Sequence, residues 1–176
     1  MRGSRTLGAV CIGSLAVQSF HMLEHVVQVL QKFVWNVPAH GLLGEAFDRE
    51  WVHMAYNGTL EALFLVMLVG YGLWSRDALR AFPGGRPWGL YTFWALIGFQ
   101  GYHTAEHVVK MYQYLATGVS DTPGLLGQIF PTILVHFAFN VIVLLMMVMA
   151  SVGLRMTQRA IRDLRAPSIS RITLKA

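Results

Sequence analysis

Apolar residues in this chain run in four long blocks, separated by short polar or glycine- and proline-rich stretches. The blocks cover residues 7–33, 51–74, 87–115 and 129–154. Each exceeds the roughly 20 apolar residues that a helix needs to cross a bilayer core. The pattern therefore predicts four transmembrane helices. Polar residues inside the blocks are few, and many fall three or four positions apart, which gathers them on one helix face. Between the second and third blocks, SRDALRAFPGGRP holds Gly84, Gly85 and Pro87, residue types that end helices and make turns. The start of the chain has signal-peptide features: Arg2, Arg5, an apolar run, and Ser14-Leu15-Ala16 as a candidate cleavage site. The apolar run continues past Ala16, so the first block reads as an uncleaved helix.

Two of the blocks repeat each other. QSFHMLEHVVQVLQ at 18–31 returns as QGYHTAEHVVKMYQ at 100–113. HGLLGEAFDREWVHMAYN at 40–57 returns as PGLLGQIFPTILVHFAFN at 123–140. His21 and His103 are 82 positions apart, and His53 and His136 are 83 apart, so one residue has been inserted between the matched segments. The pattern reads as a duplicated helical hairpin: residues 1–74, a linker at 75–86, a second copy at 87–154 and a tail at 155–176. A linker on one face gives both hairpins the same orientation, which is the parallel type of membrane repeat. The expected fold is an all-α integral membrane protein. Its four transmembrane helices form two parallel-repeat hairpins with a pseudo-twofold axis along the membrane normal.

Composition agrees with a membrane setting. Hydrophobic residues make up 55% and charged ones 13%, against roughly 25% charged in soluble domains. Mean hydropathy is +0.48. The net charge of +5 sets orientation and is not a nucleic-acid signal. Arg2, Arg5, Arg76, Arg80, Arg86 and the tail residues Arg155, Arg159, Arg162, Arg165, Arg171 and Lys175 fall on one side, and only Lys32, Arg49 and Lys110 on the other. By the positive-inside rule, both termini and the linker are cytoplasmic, in a cytoplasmic membrane of the bacterial type. The basic tail, with Ile161 and Leu164 interleaved, reads either as a segment lying on anionic lipid or as a frayed end. A single cysteine, Cys11, allows no intrachain disulfide and reads as a small packing residue.

The repeat retains metal-ligand chemistry. Six of the seven histidines are matched, as His21/His103, His25/His107 and His53/His136. Glu24 matches Glu106, and Asn57 matches Asn140. In His-x-x-Glu-His, two imidazoles and a carboxylate share a helix face, a ligand set of non-haem iron sites that also suits zinc. The five residues are similar to the inverted zinc-peptidase motif, but the duplication and membrane setting do not belong to that family. The expected centre holds two metal ions in the outer half of the membrane, iron favoured over zinc and haem the alternative. Its ligands are His21, Glu24, His25, His53, His103, Glu106, His107 and His136. Asn57 and Asn140 are placed to orient a ligand or hold a water. Glu61, which matches Leu144, is placed deeper on the His53 face as a proton relay. Tyr102, beside His103, is a candidate electron or proton donor, or an interfacial packing residue. The Gly-Leu-Leu-Gly loops read as caps over the site or as ordinary turns. The expected activity is oxidation or reduction of a lipid, hydrocarbon or quinol at a dinuclear, non-haem di-iron centre, with an electron-donor protein as partner. Three other readings stand beside it: a zinc-dependent intramembrane hydrolase, a haem-binding electron carrier, and a metal-binding subunit of a larger membrane complex.

Overall fold

A computed structural model of the chain describes residues 2–45, 48–73, 77–119 and 122–165. Arg76, Arg171 and Lys175, which enter the charge argument above, lie outside the described residues. Among those described there is no strand, and there are five α-helices. These are α1 (Arg2–Phe33), α2 (Glu50–Gly70), α3 (Pro87–Thr117), α4 (Thr132–Gly153) and α5 (Met156–Arg165), with short 3-10 turns at Ala78–Ala81 and Leu126–Gln128. The boundaries follow local chemistry. Pro87 sits in the first turn of α3, where its missing N–H is not needed, and Gly118 closes that helix in the left-handed conformation at φ 70°.

Three helices are long and apolar enough to cross a membrane: Arg5–Phe33, Glu50–Gly70 and Thr132–Gly153. The fourth expected span, α3, has the length at 31 residues, but it buries Gln100, His103, Glu106, His107 and Lys110, which lower its hydropathy. The bundle buries its polar residues over part of its length and is apolar on its outer face. Val17, Phe20 and Leu23 of α1, Leu65, Val66 and Val69 of α2, and Leu145, Val148 and Val152 of α4 are all exposed. Apolar exposure on this scale marks a surface meant for a non-aqueous neighbour, here the lipid of a membrane protein.

Three layers stack along the bundle. At the Gly70 and Gly153 ends, Leu60, Phe64, Met67, Phe93, Leu96, Val143 and Met147 form an apolar core. A belt of Gln18, Asn57, Gln100 and Asn140 follows, all buried. Above the belt lie the histidines. The apolar end is closed by small residues: a Cβ on Gly89 would come within 2.6 Å of the Gly153 backbone carbon, so α3 and α4 cross in close contact. The beginning of the tail is not frayed, and Ile161 and Leu164 remain exposed on it. It forms α5 and packs on α1, where Ala160 is fully buried and a Cβ on Gly8 would lie 2.9 Å from the Ala160 carbonyl oxygen. The Arg159 guanidinium rests 5.1 Å from the Tyr71 ring centre and 4.9 Å from that of Phe82, tying α5 to the linker region.

Candidate metal centre

All six matched histidines come from four helices into one cluster. His21 and His25 on α1 bring their Nε2 atoms to 3.1 Å. The His53 ring lies 5.9 Å from those of both His21 and His25, and 5.7 Å from that of His107. His107 stacks on His136 at 4.8 Å and meets His103 at 5.0 Å. His103, His107 and His136 each offer a ring nitrogen within 4.8 Å of the other two, and all three are buried. The spacing explains the convergence: the two histidines of each His-x-x-Glu-His lie four residues apart, on one face, and the third sits near the start of the returning helix.

Hydrogen bonds behind the rings set their direction. His25 Nδ1–H donates to Gln28 Oε1 at 2.7 Å, and His53 Nδ1–H donates to the Arg49 carbonyl at 3.1 Å. The bond at His53 leaves its Nε2 without a hydrogen bond among the described residues, and at His25 the Nε2 accepts only from His21 Nε2, a ring of the same cluster. Fixing one ring nitrogen in this way is how protein ligands are held for a metal. Both nitrogens of His103, Nδ1 of His107 and Nε2 of His136 are buried with no hydrogen-bond partner among the described residues. Buried polar atoms of this kind are costly and call for a ligand.

The two acids take a different place from the one expected. Glu24 accepts the Leu42 and Leu43 backbone N–H groups at 2.9 and 3.1 Å. Glu106 accepts those of Leu125 and Leu126 with Oε1 alone, at 2.8 and 2.9 Å, and its Oε2 has no partner among the described residues. Each carboxylate therefore holds a Gly-Leu-Leu-Gly loop, Glu24 with both oxygens and Glu106 with Oε1 alone. A glutamine two turns further along the same helix face completes each anchor. Gln31 exchanges bonds with Gly41 at 2.7 and 3.1 Å, and Gln113 with Gly124 at 2.8 and 3.2 Å. Gly41 and Gly124 have φ of 73° and 69°, and a Cβ on either would collide with the glutamate oxygen. Glycine is needed at both positions, for conformation and for space.

Asn57 and Asn140 are also not at the ring cluster. They donate to the His53 and His136 carbonyls, each at 2.9 Å. Their Oδ1 atoms accept from Gln100 at 3.0 Å and from Gln18 at 2.9 Å. They therefore fix the backbone under each ligand histidine and clamp it to a helix of the other half. Glu61 lies a layer below the cluster, half-buried. Its Oε1 faces Gly101 and its Oε2 has no partner among the described residues. Tyr102 is 42% exposed and packs on Phe139, so it takes the interfacial role and is not brought to the histidines. The tyrosine that does reach them is Tyr56, whose ring lies 4.0 Å from that of His21 and whose hydroxyl donates to Gln18 Oε1 at 2.9 Å. Its matched residue, Phe139, stacks on His103 at 4.6 Å. Gln18, Gln100 and Tyr56 are missed by a search for ligand types, although all three sit inside the repeated phrases.

A cavity of about 470 Å³ opens onto the cluster. His25, His53, His107 and His136 line it, together with Lys32, His40, Asp48, Arg49, Glu50 and Lys110. Its walls are charged, and most of the charge comes from the first loop and the start of α2. No protein-family model, curated protein or solved structure matches the chain, so the chemistry of the site rests on these residues alone.

Proposed function

We propose that this chain is an integral membrane oxidoreductase whose six histidines hold two metal ions, three from each repeat. In this reading α1 and α3 run outward and α2 and α4 return. The arginine-rich linker and both ends lie on the cytoplasmic side. Contacts that occur twice at matched positions support the duplicated four-span arrangement: Gln18 with Asn140 and Gln100 with Asn57, and Glu24 and Glu106 on their loops. The His103, His107 and His136 set, in which each residue offers a ring nitrogen within 4.8 Å of the other two, together with the orphaned nitrogens of His103 and His136, carries the metal reading.

The donor set bears on which metal. Glu24 gives both oxygens to loop amides and Glu106 gives one, so imidazole dominates the centre, with Glu106 Oε2 the one matched carboxylate oxygen left open among the described residues. Copper(II) heads the affinity order for imidazole donors. Copper is the redox ion we assign, ahead of iron. A hydrolase would need a carboxylate base beside the metal, and Glu24 gives both of its oxygens to the first loop. A haem would need an open slot between facing histidines, whereas these rings pack against one another at 4.5 to 6.4 Å. The charged cavity favours a small, polar, water-borne substrate over a lipid, hydrocarbon or quinol, with an electron-donor protein docking at the aqueous face.

Metal analysis of protein purified in mild detergent, with its visible and paramagnetic resonance spectra, tests this. The expected result is two ions per chain, mostly copper, at the separation typical of paired sites. Glu24→Gln should keep both, and His107→Ala with His136→Ala should lose one. A chain that carries haem, or no transition metal, overturns the reading.

A further inference from the structure

The histidines are matched between the halves, but the groups behind them are not. His25 Nδ1 is backed by the neutral amide of Gln28, whose Nε2 donates to Asp48 Oδ1 at 3.1 Å. The residue that matches Gln28 is Lys110. Its ammonium lies 2.7 Å from Glu50 Oε1, and Glu50 Oε2 lies 4.0 Å from His107 Nδ1. The three groups are enclosed: side-chain exposure is 4% for Lys110, 10% for Glu50 and 2% for His107. Pro131 and Ile133 match Asp48 and Glu50, so the first repeat supplies both acids and sends one of them across to the second.

We propose that the two ion sites are inequivalent, and that the Glu50–Lys110 pair makes the His103, His107 and His136 site the tighter one. This rests on the metal reading above and adds the order in which the sites fill. A metal on His107 Nε2 withdraws electron density from the ring and strengthens Nδ1–H as a donor. A carboxylate close to Nδ1 answers that change and raises the basicity of the ligand, whereas an amide only orients it. Lys110 holds Glu50 in place and balances its charge before the ion arrives, since an unpaired buried carboxylate would be costly. Glu50 and Lys110 are thus positioning residues that act through His107.

Titration of the metal-stripped full chain with cobalt(II), followed by its visible ligand-field bands, tests the proposal. Two unequal steps are expected. Glu50→Gln should weaken the tighter step by about 10- to 100-fold, the usual effect of losing such a partner, and leave the weaker step unchanged. The double variant Glu50→Gln/Lys110→Met leaves no buried charge unpaired, so it keeps the fold testable, and it should show the same selective loss. Gln28→Glu/Asp48→Asn gives His25 a carboxylate and should strengthen the weaker step. Two equal steps in the native chain, or an equal loss at both steps in the Glu50 variants, overturns the inequivalence. A native chain that binds no cobalt at all overturns the metal reading itself.

Discussion

Tyr56 and Phe139 hold matched positions, and one hydroxyl separates them. That hydroxyl meets Gln18 Oε1 at 2.9 Å, whereas Gln100 Oε1, at the matched place, is buried with no partner among the described residues. The difference yields a reciprocal prediction. Tyr56→Phe should cost about 0.5–1.5 kcal/mol, the net worth of one hydrogen bond, and Phe139→Tyr should be neutral or stabilising by a similar amount. Thermal unfolding in detergent measures both. Equal destabilisation by the two substitutions would show that the halves do not pack alike around their glutamines. The same positions separate the two halves chemically, since only the first has a tyrosine against its histidines.

At the scale of elements, the loops are as much a part of the site as the helices. Each is held by a glutamate and a glutamine seven residues apart on the preceding helix, acting on a glycine and the two leucines after it. Gly41→Ala should therefore lose more stability than Gly44→Ala. Both glycines have positive φ, a strain of about 1–3 kcal/mol for a side chain. Only the Gly41 Cβ would also strike Glu24; the Gly44 Cβ would meet nothing within 4 Å. Chemical unfolding of the two variants compares them. Equal losses would mean that the carboxylate gives way without cost and is not a rigid anchor.

For the whole molecule, charge and layering point the same way. Arg80, Arg86, Arg155 and Arg159 gather at the apolar-core end, while Lys32, Arg49 and Lys110 sit by the histidine cavity. In sealed vesicles of known sidedness, with Cys11→Ser as background, Arg80→Cys and Lys32→Cys should react with an impermeant maleimide from opposite sides. Labelling of both from one side would rule out the membrane-crossing arrangement. The cavity is asymmetric even though the histidines are matched, because the positions that match Glu45, Asp48, Arg49 and Glu50 are the uncharged Gln128, Pro131, Thr132 and Ile133. In the proposed centre, such an uneven mouth would give the two ions different surroundings.

Four long helices, the inward face of each and the six histidines that meet were all legible in the chain. Helix periodicity is local, so residues four apart share a face wherever the helix ends up. The repeat then matched one half to the other without any knowledge of packing. The destination of Glu24 and Glu106 was not legible. Neighbours on a helix point about 100° apart, so His25 and Glu24 straddle the inward face, and which of them meets the centre depends on what lies beside the helix. Here a loop offered two backbone N–H groups, a better-matched partner for a carboxylate than a cluster of neutral rings. The clamp of Gln18 to Asn140, the approach of Tyr56 to His21 and the reach of Glu50 to Lys110 join residues 122, 35 and 60 positions apart. No local pattern encodes such pairs. They exist because helices distant in the sequence pack against one another, within a half for Tyr56 and His21 and between the halves for the other two pairs, and only that packing decides which buried polar groups satisfy each other.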